Sequence, residues 1–310
     1  MAGKLNVREI ENTGGSTVRI PSSIDMSTST SYMPIPAGGS DQVDSNVSEG
    51  AFRYNYDFEC LEFFDGQSWR LIEKDYITNT GLVLHLDARS IESYPRDNNG
   101  KWFDLSGNKN DAYVAGSPVP NFQFNNTTGN NRPHFNFTGA SSGGHFICRK
   151  PNLVNYLEGT VAAYVKFDTI TTNRVVVAYG GNNTDRGFLL QNENNTARKI
   201  GFYTNTVDGT FYQAPLGESL SNPYVGQWIY MVGTWNPYGS ALWINGDLRV
   251  QVEHTSFNPL EDDVTLYIGG EIGRNTYMLD GGIACVHLYN RQLSAKEIAD
   301  NYALVQERYN

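Results

Sequence analysis

Between residues 81 and 289 the chain is a series of short strand-like runs, each closed by a turn cluster. The runs include 81–87 (GLVLHLD), 159–167 (GTVAAYVKF), 174–179 (RVVVAY), 187–191 (GFLLQ), 199–203 (KIGFY), 228–235 (WIYMVGTW), 241–244 (ALWI), 264–269 (VTLYIG) and 282–289 (GIACVHLY). β-Branched and aromatic residues suit a pleated surface, and such runs bounded by Gly, Asn, Asp and Pro read as strands. The turn signals are clear at 180–183 (GGNN), 207–209 (VDG) and 236–239 (NPYG). Asn245-Gly246 fits a two-residue type I′ hairpin between 242–244 and 248–251. Many short strands with regular turns predict an all-β sandwich or barrel. Trp228 and Trp235 are an odd number of residues apart, which places them on opposite faces of one strand. A single helix is expected near the end: Ser294 and Glu297 form a capping box, and Ile298, Tyr302 and Val305 follow at helical spacing.

The stretch ahead of this body differs. Residues 1–48 are rich in Ser, Thr, Gly and Pro, and cannot alone bury enough apolar surface to offset their ordering entropy. The short apolar pieces 18–21 (VRIP) and 32–36 (YMPIP) suit an extended arm that adds to another sheet. Residues 49–78 predict a small meander with strands at 51–54, 61–64 and 69–72, turning at Asp65-Gly66. A sheet of that size is marginal alone and should rest on a partner or on its own copies.

Composition narrows the function classes. Lys and Arg number 23 against 33 Asp and Glu, a net charge of −10, and no basic cluster occurs, so nucleic acid is a poor partner. No apolar stretch reaches the ~18 residues of a membrane span, and the N-terminus lacks the apolar core of a signal peptide. Cys60, Cys148 and Cys285 are odd in number and widely spaced, which reads as free thiols in a chain made in a reducing cytoplasm.

Two resemblances follow from the residues. Gly50, Arg53-Tyr54-Asn55, Leu61-Glu62, Asp65-Gly66 and Trp69 look like a short motif recurrent in tail-fibre and other structural proteins of tailed bacteriophages. The body resembles the laminin-G/concanavalin A-like lectin superfamily, through 81–88 (GLVLHLDA), 102–111 (WFDLSGNKND), 226–235 (GQWIYMVGTW), 241–246 (ALWING), 267–270 (YIGG) and 279–298 (LDGGIACVHLYNRQLSAKEI). The resemblance implies an all-β chain: a C-terminal jelly-roll sandwich over 79–310, with one concave and one convex antiparallel sheet and one C-terminal helix outside. The arm and the meander precede it.

Candidate chemistry is sparse. Glycoside hydrolysis needs two carboxylates flanking the scissile bond. No Glu-x-Asp-x-Glu strand occurs; the nearest sets are Glu59 with Glu62, in the meander, and Glu261-Asp262-Asp263, which reads as a turn. His85, His134, His145, His254 and His287 show no metal spacing, and GxSxG is absent. The resemblance implies calcium as the candidate cofactor. Asp97, Asp104, Asn108 and Asp111 are its candidate ligands, and Asn182, Asn183 and Asp185 form a second group; all read equally as turn formers. A sugar needs an aromatic platform beside planar polar groups. Tyr203 and Tyr212, with Asn205 and Asp208 in the turn between them, Gln191 and Glu193 on the preceding run, and Asn183 and Arg186 from a neighbouring loop, supply those groups.

The expectation is a non-enzymatic virion protein of a tailed phage, made in the host cytoplasm. It attaches to other virion proteins through residues 1–75 and displays its lectin-like domain to host-surface glycan or a neighbouring virion protein. It is expected as a homo-oligomer, a trimer if it is a fibre, with a tail fibre preferred to a head decoration. A purely structural decoration module and a polysaccharide hydrolase or lyase remain the alternatives.

Overall fold

A computed structural model of the chain describes residues 35–39, 42, 47–56, 60–72, 77–96, 100–123, 133–140, 143–149, 157–180, 187–193, 199–205, 211–216, 224–254, 265–271 and 277–309. The chain divides into two compact units, residues 1–74 and 75–310.

The first unit holds one four-stranded sheet. Strands β2 (Phe52–Asn55), β3 (Cys60–Phe64) and β4 (Trp69–Ile72) form the expected meander, and β1 (Ala37–Gly38) adds to β2 in parallel. Asp65 Oδ1 accepts the amides of Gln67 (2.9 Å) and Ser68 (2.7 Å), which makes the β3–β4 turn. Arg53 joins the parts. Its Nε donates to Glu62 Oε2 at 2.9 Å, its other nitrogens donate to the carbonyls of Gly38, Gly39 and Gln42, and the guanidinium lies 5.4 Å from the Trp69 ring centroid. The planar fork of five donors suits this buried role. Strand β1 lies within the stretch that composition marks as an arm.

The second unit is a sandwich of two eight-stranded sheets. Its strands are β5 (Leu82–Asp87), β6 (Lys101–Trp102), β7 (Ala112–Ala115), β8 (Asn121–Gln123), β9 (His134–Thr138), β10 (His145–Arg149), β11 (Gly159–Phe167), β12 (Arg174–Tyr179), β13 (Phe188–Glu193) and β14 (Lys199–Asn205). After these come β15 (Phe211–Leu216), β16 (Trp228–Asn236), β17 (Gly239–Ile244), β18 (Asp247–Glu253), β19 (Thr265–Ile268) and β20 (Asp280–Tyr289), then helix α1 (Ala295–Tyr309). One sheet, called the front sheet below, runs β15-β14-β13-β12-β19-β10-β7-β6. The back sheet runs β18-β17-β16-β11-β20-β9-β8, with β5 also paired to β20.

Alternation fills the space between the sheets. On β11, Val161, Ala163, Val165 and Phe167 face the shared core, while Ala162 and Tyr164 face outward into a second cluster. Trp235 is buried in the core and Trp228 packs against the outer cluster, on opposite faces as the spacing predicts. In the core, Phe202 lies parallel to Trp235 at 6.0 Å, directly over Gly233. A Cβ on Gly233 would stand 2.1 Å from Phe202, so only glycine fits there.

Helix α1 covers the outer face of the back sheet. Ile298, Val305 and Tyr309 pack on Tyr164, Tyr230, Val232, Cys285 and Tyr289. Its start is the expected capping box: Ser294 N–H donates to Glu297 Oε2 at 2.8 Å and Glu297 N–H to Ser294 Oγ at 3.3 Å. Arg291 hydrogen-bonds the same carboxylate and pulls its pKa down to about 2. Asn245 (φ 54°) and Gly246 (φ 84°) make the predicted hairpin turn between β17 and β18. No helix among the described residues is long and apolar enough to cross a membrane.

Candidate functional site

The outer face of the front sheet carries a continuous row of side chains. Register places Tyr203 beside Leu189, Leu189 beside Ala178, Ala178 beside Tyr267, Tyr267 beside Ile147, Ile147 beside Tyr113, and Tyr113 beside Lys101. Exposure rises along it: Tyr203 is 0% exposed, Tyr267 7% and Tyr113 46%. One end of the face is closed and the other is open.

Most of the sugar-binding residues expected from sequence lie at the closed end or outside the described residues. Tyr203 folds over Gly201, its Cε2 2.6 Å from where a Cβ would stand, and packs with Val175, Leu189 and Tyr267. It is therefore not a surface platform. Gln191 is 4% exposed, and its Oε1 finds no hydrogen-bond partner. Glu193 and Asn205 end β13 and β14, and only their backbones are described. Tyr212 pairs with Thr204, out of the Tyr203 row. Asn183, Arg186 and Asp208 lie outside the described residues.

The open end is better furnished. Lys101 Nζ sits 4.2 Å from the Phe103 ring centroid, 5.3 Å from that of Tyr113 and 2.7 Å from Asp111 Oδ2. The hydrogen bond to Asp111 is the largest of the influences raising the Lys101 pKa, and it holds the ammonium charged. An exposed tyrosine, a second ring, a cation and a carboxylate thus share one patch. The sequence carries a signal for it that the reading above did not use. Trp102 and Ala112 are core residues, so period-2 alternation turns Lys101, Phe103, Asp111 and Tyr113 outward.

The loop beside this patch contains three of the four expected calcium ligands. Asp104 Oδ1 accepts the amides of His85 and Ser106, each at 2.9 Å. Its Oδ2 accepts the Ser106 hydroxyl (2.7 Å) and the Asn110 amide (2.9 Å). Asn108 Nδ2 donates to the Leu82 carbonyl at 3.1 Å, and Asp111 Oδ1 accepts the Asp104 amide at 3.0 Å. These bonds staple the loop to β5 and engage both oxygens of Asp104, while Asn108 takes part through its Nδ2 donor. Among the described residues no three carboxylate, imidazole or thiol groups converge on a metal position. The fourth expected ligand, Asp97, like Asn182, Asn183 and Asp185, lies outside the described residues.

Two cavities are formed by described residues of this unit. One of about 330 Å³ is lined by Tyr94, Val119, Asn121, Phe122, Phe135 and Phe146, aromatic side chains with polar surface among them. The other, about 190 Å³, lies under α1 and is lined by His85, Asp87, Cys285, His287, Arg308 and Tyr309. Asp87 accepts from Arg308 Nε at 2.7 Å and from the Tyr309 hydroxyl. The His287 ring packs edge-on to His85 at 5.0 Å and shares a 3.2 Å hydrogen bond between its Nδ1 and the Tyr230 hydroxyl. Burial, His85 and Arg308 all keep His287 neutral. Cys148 and Cys285 are free and buried; burial pushes Cys148 up to about 12 and Cys285 higher still. Such thiols are inert packing groups.

A sandwich of two large sheets, closed by a terminal helix on one outer face, is the architecture of lectin-like domains. The sequence profile of the laminin-G branch of the concanavalin A-like lectin/glucanases superfamily matches residues 141–299, and the chain belongs to that superfamily. A search of curated proteins found no match. Among solved structures, the binding domain of botulinum neurotoxin DC in complex with rat synaptotagmin II aligns with a TM-score of 0.55 at 15% identity, over 73% of this chain and 52% of that one. The botulinum neurotoxin serotype D ligand binding domain in complex with N-acetylneuraminic acid aligns at 0.52 and 21%, over 73% and 51%. Domain 4 of AbnA, a GH43 extracellular arabinanase from Geobacillus stearothermophilus, in complex with arabinotriose, aligns at 0.53 and 12%, over 71% and 98%. The chain spans about half the length of the neurotoxin domains it matches.

Proposed function

We propose that this chain is a non-enzymatic glycan-binding protein, anchored in a tailed-phage particle through its first unit and presenting the front sheet to host-surface carbohydrate. The observation that carries the binding step is the exposed Tyr113 ring set beside Phe103, Lys101 and Asp111 on the open end of a lectin-class sheet. An aromatic face covers the apolar side of a sugar ring, and the flanking ammonium and carboxylate fix hydroxyls. Two of the similar structures are described as complexes with N-acetylneuraminic acid and arabinotriose, which supports a saccharide ligand. The phage assignment is supported by the motif of Gly50, Arg53, Asn55, Glu62, Gly66 and Trp69 in the first unit, with a tail fibre preferred to a head decoration.

A glycan array on the full chain, followed by calorimetry on the best ligand, tests the binding step. Tyr113→Ala is expected to weaken binding roughly tenfold, about 1.4 kcal/mol, with an unchanged melting temperature. A wild-type chain that retains no glycan, in particles that lose stability without it, would favour a purely structural decoration. Release of reducing sugar from host envelope polysaccharide would instead make it an enzyme. Immunogold labelling of intact particles tests the location.

A further inference from the structure

On the outer face of the back sheet, α1 packs with Tyr164, Tyr230 and Tyr289, while Trp228 stays partly exposed at the border of that cluster. Alternation decides what the sheet displays beyond this border. Phe122, Phe135, Val165, Ile229 and Ile283 pack in the core, so Asn121, Asn136, Lys166, Trp228 and Gly282 point outward. Register lines them up in one row across five strands: Asn121 beside Asn136, Asn136 beside Gly282, Gly282 beside Lys166, and Lys166 beside Trp228. The missing side chain at Gly282 lets the rings of His134 and Trp228 lean over it; a Cβ there would stand 2.8 Å from each. Those two rings meet at 5.1 Å and 72°, and Tyr164 backs the indole at 5.3 Å and 25°. His134 and Asn136 are partly exposed and Asn121 is exposed. Lys166 Nζ pairs with Asp168 Oδ1 at 2.9 Å, and Asp280, one row further on, is held by the Thr169 hydroxyl and Arg174.

We infer that this row is a second saccharide-binding site, on the sheet opposite the Tyr113 patch, and that it takes an uncharged oligosaccharide. An indole backed on one side and partly open offers an apolar platform to a sugar ring. The two amides in the row are planar groups that both donate to and accept from hydroxyls. Four inter-strand steps of ~4.8 Å make the row about 19 Å long, longer than a single sugar ring, so the ligand is an oligosaccharide. The charges favour a neutral one, since Lys166 and Arg174 are each matched by an aspartate. A protein partner fits less well, because the core of a protein interface is built from several large apolar side chains and this row offers one partly exposed indole. The site does not depend on the Tyr113 patch. With both occupied, one chain would bridge two glycans from opposite faces and gain avidity without a second copy.

Fluorine NMR of the full chain labelled with fluorotryptophan tests it, with the Trp228 resonance assigned through Trp228→Phe. Arabinotriose, maltotriose and cellotriose are the neutral probes and N-acetylneuraminic acid the acidic one. At least one trisaccharide is expected to shift the Trp228 resonance with half-saturation at about 1 mM, and N-acetylneuraminic acid to bind at least tenfold more weakly. Asn136→Ala should weaken the trisaccharide roughly tenfold, and Asn121→Ala, at an exposed position that does not threaten the fold, by several-fold. A Trp228 resonance that none of the three trisaccharides moves would overturn the inference. So would equal affinity for N-acetylneuraminic acid, or wild-type binding by both asparagine variants. The two sites are separable. Tyr113→Ala should leave the Trp228 response unchanged; if it abolishes all binding, the row on the back sheet is no site and the Tyr113 reading stands. If Tyr113→Ala binds as wild type does while the Trp228 response persists, the Tyr113 reading falls and the second site stands.

Discussion

Gly281 holds a position that admits no side chain. Its φ is 146°, and a Cβ there would lie 1.9 Å from the backbone carbonyl oxygen of Lys166 on the paired strand β11. Gly226 also has positive φ (76°) but faces open space. Gly281→Ala should therefore cost about 3 kcal/mol and Gly226→Ala only about 1 kcal/mol, a contrast that paired urea titrations would read directly. His287 makes a second residue-level expectation. Its folded pKa lies well below its ordinary value, so the unfolded chain takes up a proton that the folded one refuses. Stability from this group is complete above about pH 6.5 and declines as the pH falls below it, by up to about 1.4 kcal/mol per unit. His145 and His254 are lowered by burial too and act in the same direction. Melting temperatures measured from pH 7.5 to 5 should fall, and His287→Gln should fall less steeply than wild type; a flat wild-type profile would contradict this account. Residues of this kind were unevenly legible. The opposite facing of Trp228 and Trp235 followed from counting alone. The burial of Tyr203 did not, because it depends on Gly201 and Tyr267, which arrive from the next strand position and a distant strand.

Strands and turns were the most readable level. The runs at 159–167 and 174–179, the Asn245-Gly246 hairpin and the Ser294–Glu297 cap all appear where their local chemistry puts them. Strand β1 escaped, since two residues of parallel pairing leave no periodic trace and depend on Arg53 reaching back to the carbonyls of Gly38 and Gly39. The arginine is also this sheet's weak point. The Arg53 and Glu62 side chains are 6% and 5% exposed, and removing one partner strands a buried charge. Glu62→Ala should destabilise the first unit by about 3–5 kcal/mol and open residues 35–72 to limited proteolysis, while the second unit stays resistant. Equal sensitivity of both units would show that the ion pair does not hold this sheet alone.

At the scale of the whole molecule, sequence order predicted a two-layer sandwich because local alternation is visible strand by strand. The open end of the front sheet was not found, because exposure depends on which neighbours cover a face. The loop at 104–111 illustrates the same limit. The Asp104 and Asp111 carboxylates have ligand chemistry, yet Asp104 accepts from His85, Ser106 and Asn110, and Asp111 from the Asp104 amide and Lys101. Strand order has a further consequence. Strand β20 is the last in the chain, yet it sits in the middle of the back sheet, against β11 on one side and β9 and β5 on the other. A ribosome takes roughly 10–40 s to travel from β5 to β20, and until it does the central seam of that sheet is missing. A message cut short anywhere before that point yields a chain that lacks this seam and leaves the edges of β11, β9 and β5 unpaired on that side.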